Sequence, residues 1–265
     1  MVDIHCHLLP GMDDGSKSLH ESVAMAEMAV ADGIEYVVCT PHANSEYLFD
    51  PAVVRERRDK LLKELAKSES ARRLRLGIGC DFHLSYENLM DIRNKPTKYS
   101  INHKNYLLVE FDEFAIPPTM EEMLHNLRVM GLYPIITHPE RNALICAQQD
   151  RLRQWVRLGC YVQITAQSVL GRWGEGVKRQ VEAWMDENIV HFFASDAHNT
   201  VQRPLKLREA YDVVAQGWGA ARAQALFHDN PLAAFEGREL SYQPEQSARP
   251  KRSTRSTRRK RFLFF

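Results

Sequence analysis

Short apolar runs alternate with longer amphipathic stretches along most of the chain. Val2-Asp3-Ile4-His5-Cys6-His7 and residues 34–40, 74–84, 106–111, 133–138, 161–165 and 190–196 read as seven strands. Helices are predicted between them. Ser18 caps the first, with Glu21 in capping-box position and Gly33 past its end. Asp50 and Pro51 open a second, which runs to about Ser68. Residues 86–105 suggest a short helix and a loop. Further helices are expected at 120–130, 150–158, 177–187, 205–216 and 219–227.

Strands alternating with helices imply a parallel sheet. The polar residues decide its shape. His42, Asp81, Glu110, His138, Asp196 and His198 all stand late in a strand or just after one. Side chains from so many strand ends meet at one centre only if the sheet closes, and active sites of α/β barrels lie at that pole. The expected fold is a distorted (β/α)7 barrel over residues 1–240, with a basic tail at 241–265.

Composition agrees. At 265 residues and 44% hydrophobic, the chain suits one large domain that needs no disulfide staple. Its five cysteines are scattered and lack a CxxC pair, the pattern of reduced thiols in the cytoplasm. No signal peptide and no membrane-spanning run are read. The near-neutral net charge hides an asymmetry. Eight Lys/Arg and no acid lie between Arg249 and Arg261; setting them aside from 35 leaves 27 against 34 acidic residues.

The chemistry starts in the first strand. His5 and His7 project from one face, because side chains alternate along a strand. With His42, His138, His198, Asp81, Glu110 and Asp196 they make five imidazoles and three carboxylates at one pole. Each alone could be a capped turn or an ion pair. Together they need counter-charge, which metal ions supply. Mixed imidazole and carboxylate donors suit manganese, iron or zinc rather than calcium, and the missing thiolate pairs argue against structural zinc. A cysteine-phosphatase route is excluded by counting. The residues six positions after the cysteines are Met12, Ser45, Tyr86, Leu152 and Ala166, so no Cys-x5-Arg loop exists.

His5-Cys6-His7, His42, His138 and Asp196-Ala197-His198 resemble the motifs of the polymerase-and-histidinol-phosphatase (PHP) superfamily. More narrowly, Asp13-Asp14-Gly15, Thr40-Pro41-His42, Leu108-Val109-Glu110-Phe111, His138-Pro139-Glu140-Arg141 and Ser195-Asp196-Ala197-His198-Asn199 resemble the bacterial manganese-dependent tyrosine-protein phosphatases that accompany capsule and exopolysaccharide tyrosine kinases. The resemblance covers about residues 1–235. It implies three manganese ions: one on His5, His7, Asp81 and Asp196, one on Asp81, Glu110 and His138, and one on Asp14, His42 and His198. It further implies that Arg141 and Arg203 contact phosphate. One departure is Asp81, where the family usually has Glu; His83, on the same strand face, is a candidate to compensate.

The expected activity is hydrolysis of phosphotyrosine in proteins by metal-activated hydroxide. The expected partner is the C-terminal tail of a bacterial tyrosine kinase, with a homo-oligomer as a further expectation. A histidinol-phosphate phosphatase and a non-catalytic metal-containing kinase-binding module are the alternatives. An acidic body without a basic groove argues against a nuclease and against specific nucleic-acid binding. The tail ends in Phe262-Leu263-Phe264-Phe265. It reads as a disordered segment or as a contact with anionic lipid at the inner membrane face.

Overall fold

The computed structural model describes residues 1–243; the basic run 249–261 and the terminal Phe cluster lie outside the described residues. Nine strands form: β1 (Val2–Cys6), β2 (Tyr36–Cys39), β3 (His42–Ala43), β4 (Arg75–Ile78), β5 (Asp81–His83), β6 (Tyr106–Glu110), β7 (Tyr133–Thr137), β8 (Tyr161–Thr165) and β9 (Phe192–Ala194). They pair in the orders β1-β2-β4 and β3-β5-β6-β7-β8-β9, all parallel.

Two expected strands are therefore broken. The 74–84 run is β4 and β5, and β2 restarts as β3. Pro41 has no N–H for the ladder, and the His42 N–H donates instead to Asp13 Oδ2 at 3.0 Å. The neighbouring chain follows: Gly79 N donates to Cys39 O at 2.9 Å, and Asp81 N to Pro41 O at 3.1 Å. Counting each broken pair as one strand gives seven in chain order. The ring closes where β9 meets β1. There His7 N donates to Ala197 O and Asp196 N to His5 O, both at 2.9 Å, beside a parallel bridge between Cys6 and Ala197.

The helices begin where the caps require. Ser18 accepts from Glu21 N at the head of Leu19–Ala31, and Asp50 accepts from Ala52 N at the head of Pro51–Leu65. Strands buried on both faces read as near-continuous apolar runs, and β6 from Tyr106 to Val109 is fully buried. Helix Asn230–Glu236 packs Ala233 and Ala234 into a cluster with Val2, Tyr106, Tyr161 and Phe192 from the N-terminal ends of the strands. No helix of the described residues is long and apolar enough to cross a membrane.

One buried histidine lies at that same pole. His191 is 3% exposed, and its Nδ1 accepts from Val162 N at 3.2 Å. Burial pushes its pKa down to about 3. The unfolded chain takes up this proton near pH 6.5, so stability is complete above that pH and is lost as pH falls toward 3. By pH 5 the loss is about 2 kcal/mol. A His191→Asn variant should flatten the pH 7 to pH 5 fall in urea-unfolding free energy by that amount; an unchanged slope would refute the assignment.

Candidate metal centre

The broken strands serve the site. Restarting β3 and β5 one step further along the barrel brings His42 and Asp81 into paired register, and His83 beside Glu110. Asp81 is fully buried. Its Oδ2 lies 3.4 Å from His5 Nε2, 3.4 Å from His42 Nδ1 and 3.9 Å from His138 Nε2. Glu110 stands beside it, 3.3 Å from His42 and 3.7 Å from His138. Asp14 lies 3.4 Å from His42 Nε2 and 3.3 Å from His198 Nε2. Asp196 Oδ1 lies 3.5 Å from the Nε2 atoms of both His5 and His7, which are 3.4 Å apart. All nine expected ligand residues thus gather at the C-terminal ends of the strands.

Three groups of donor atoms are tight enough to surround an ion: His7, Asp14, His42 and His198; His5, His7 and Asp81; His42, Asp81 and Glu110. Asp81 reaches two groups, as the resemblance implied, and His7 and His42 each reach two as well, which it did not imply. His83 turns outward instead, with Nε2 3.8 Å from Asp112.

The donors fit divalent cations. His42 Nδ1, His198 Nε2 and Asp81 Oδ2 are buried without hydrogen-bond partners, an expensive state for polar atoms. Two donors on one ion, each about 2.1 Å away, sit about 3.0–3.5 Å apart, which is the spacing seen. Charge agrees as well. Against burial, Arg141, His5 and Arg203 hold Asp196 well below the usual carboxylate range. His198 and His42 do the same for Asp14. Burial works against protonation of His42, yet Asp14 and Glu110 push it up to about 11. Burial together with His7 brings His198 down to about 4. The carboxylates stay ionised and draw positive charge, so cation binding there displaces protons from imidazoles.

Several orienting residues were assigned no role in the sequence. Asp13 Oδ2 lies 2.7 Å from His7 Nδ1, and Gln163 Oε1 2.8 Å from His5 Nδ1. Both contacts leave Nε2 aimed at the centre. Asp3 accepts from the backbone N–H groups of His5 and Ser195, and so ties β1 to the end of β9. Glu140 accepts from Thr165 N and Ser168 Oγ beneath the His138 loop. Gly15 passes against His7, where a Cβ would stand 2.4 Å from His7 Cβ and O. Alternation along a strand could have found Gln163, which shares a face with Tyr161 and Thr165. Asp13 was visible as part of a turn and of the Asp13-Asp14-Gly15 motif, without a role of its own. Asp13→Asn should weaken manganese binding by about 10–100-fold, because the amide loses the charge that holds the His7 tautomer. Titration of stripped protein measures this, and an unchanged affinity would count against the role.

Two guanidiniums complete the pole. Arg203 Nη2 donates to Asp196 Oδ2 at 2.5 Å, and Arg141 Nη1 lies 2.6 Å from the same oxygen, off the hydrogen-bond direction. The Arg141 fork also lies over the Trp173 ring, 4.6 Å from its centroid. His138 and Asp196 hold left-handed backbone at φ 34° and 52°, a conformation that costs non-glycine residues energy and collects at functional sites. The thiols stand apart: all five are free, and burial pushes Cys39 and Cys160 up to about 12.

The chain is similar to known proteins. The chain is 34% identical over its whole length to tyrosine-protein phosphatase YwqE of Bacillus subtilis, also matched over its whole length. It is 30% identical to tyrosine-protein phosphatase CpsB of Streptococcus pneumoniae, over 87% of this chain and 96% of that one. A chain from the crystal structures of those two proteins, described as unique metal-dependent tyrosine phosphatases, superposes with a TM-score of 0.85 at 33% identity, covering 94% of this chain and all of that one. The lactonase Lmo2620 of Listeria monocytogenes, at 11% identity and a TM-score of 0.52, shares the fold alone. The family model for capsular polysaccharide synthesis, CpsB/CapC, matches residues 1–236 and so takes in every residue of the centre, and the chain belongs to that family.

Proposed function

We infer that this chain is a metal-dependent phosphatase that hydrolyses phosphotyrosine in proteins. The observation that carries the reading is the shared pole: nine imidazole and carboxylate side chains with two guanidiniums at their edge. His5, His7, Asp14, His42, Asp81, Glu110, His138, Asp196 and His198 would hold the cations, manganese being the proposed ion and three the proposed number. Cations bound there lower the pKa of water and polarise a phosphoryl oxygen. The chain does the rest. Arg141 and Arg203 take phosphoryl oxygens, as guanidinium forks do. Asp13 and Gln163 hold the imidazoles of His7 and His5 in one orientation. No thiol competes as a nucleophile, because burial keeps them protonated. Phenolate leaves readily, so the demand on a general acid is small.

The proposed partner is the phosphorylated C-terminal tail of a bacterial tyrosine kinase of polysaccharide biosynthesis, met at the cytoplasmic membrane face. The test is hydrolysis by chelator-stripped and manganese-reloaded protein, with phosphotyrosyl peptide and histidinol phosphate compared. Restored turnover with kcat/KM at least about tenfold higher on the peptide is expected. Restoration on histidinol phosphate alone, or on neither, would overturn the reading.

A further inference from the structure

Large apolar side chains are rarely left exposed in clusters without a partner. Among the described residues, Leu48, Tyr86, Phe114, Trp173 and Val201 are between 40% and 90% exposed. Leu48, Phe114 and Val201 lie in the loops that follow β3, β6 and β9, Tyr86 opens the helix after β5, and Trp173 follows the short helix Ala166–Val169 beyond β8. Because every strand pairing is parallel, those five positions share the pole of the metal centre. The other exposed large apolar residues, Val53, Met90, Val129 and Leu158, lie further along helices or at a helix C-terminal end. The mouth of the site therefore carries an apolar crown.

Trp173 links this crown to the chemistry. One face of its indole covers the Arg141 guanidinium, and the side chain remains 40% exposed. An aryl group whose phosphate sits against Arg141 lies within reach of that ring. Like charge at the rim argues against an anionic lipid surface: Phe114 follows Asp112 and Glu113, and Leu48 stands between Glu46 and Asp50. Acidic residues beside the apolar tips repel anionic headgroups. The phosphate of a phosphotyrosyl polypeptide is anionic too, but its charge is met by the two guanidiniums at Arg141 and Arg203 rather than by the rim, so that the aryl ring and its apolar neighbours face the crown, and aromatic side chains give much of the energy of protein recognition.

We propose that Trp173, with Val201 after the adjacent strand and Phe114 after β6 at the same pole, forms a docking surface for the aryl ring and the adjoining apolar residues of a phosphotyrosyl polypeptide. The proposal rests on the phosphatase reading above and adds to it the source of selectivity: Trp173 favours aryl over alkyl monoesters, and Phe114 and Val201 favour peptides over small esters.

The test uses the full chain loaded with manganese, and three substrates: a phosphotyrosyl peptide with apolar flanks, phenyl phosphate and phosphoethanolamine. In Trp173→Ala, the kcat/KM ratio of phenyl phosphate to phosphoethanolamine should fall about tenfold through KM, and Trp173→Phe should recover most of it. In Phe114→Ser/Val201→Ser, the peptide to phenyl phosphate ratio should fall at least about threefold. Unchanged ratios with active enzyme overturn the docking surface alone. Absence of aryl phosphate turnover in the unaltered protein overturns the phosphatase reading instead. Binding to phosphatidylserine vesicles that weakens in Phe114→Ser/Val201→Ser would assign the crown to lipid and also overturn the proposal.

Discussion

Replacing Asp81 with alanine should lower kcat on a phosphotyrosyl peptide by at least about 10³-fold. Residues that only orient metal-binding side chains typically contribute 10–100-fold, and Asp81 occupies the position that several imidazoles share. Its Oδ2 is the nearest carboxylate oxygen to His5 and His42 together. That oxygen is buried and lacks a hydrogen bond, although Thr137 Oγ1 donates to Oδ1 at 3.4 Å. Alanine would leave the imidazoles facing one another without the charge between them. Asp81→Glu keeps the carboxylate and adds one methylene to a packed site, at a cost of order 1–3 kcal/mol. It should retain activity within about 100-fold of wild type. The paired measurement is kcat with bound manganese per chain. Alanine with activity within tenfold of wild type would remove Asp81 from the centre.

Asp196→Asn should strike both activity and stability. One carboxylate oxygen meets two guanidiniums and the other faces His5, His7 and His198. Removing one partner of a buried charge network costs about 3–5 kcal/mol. We expect about 3 here, since Arg141 and Arg203 keep 18% and 24% of their side-chain surface in water. Loss of kcat should exceed about 10³-fold, because donor charge and arginine placement fail together. A further Arg203→Met change should restore part of the stability but none of the activity. Additive losses in that cycle would show that the two side chains do not act as a unit. Chemical denaturation with chelator present keeps cation binding out of the comparison.

Much of this was legible in the chain itself, for physical reasons. Period-two alternation put His5 and His7 on one face, and strand ends rich in His and carboxylate implied a closed sheet. The caps at Ser18 and Asp50 form as their side-chain chemistry requires. What escaped was tertiary. An apolar run such as 74–84 does not reveal that it changes hydrogen-bonding partners midway, since the change follows from Pro41 on a different strand. The left-handed backbone at His138 and Asp196 has no local signature in residues that ordinarily avoid it. Gln163 and Asp13 became meaningful only once β8 and the 8–16 loop were seen against β1. The sharing of His7 and His42 between donor groups depends on distances that spacing along the chain cannot encode.

The seam between β9 and β1 has a bearing on how the protein is made. His5 and His7 leave the ribosome about 190 residues ahead of Asp196 and His198. Until the last strand arrives, the first has no neighbour on that side, and the carboxylate that faces both imidazoles does not exist. A nascent chain can offer scattered donors to any passing ion, but the full set forms only in the act of closing the ring. Of the three donor groups, the one made by His7, Asp14, His42 and His198 is therefore completed only when the ring closes.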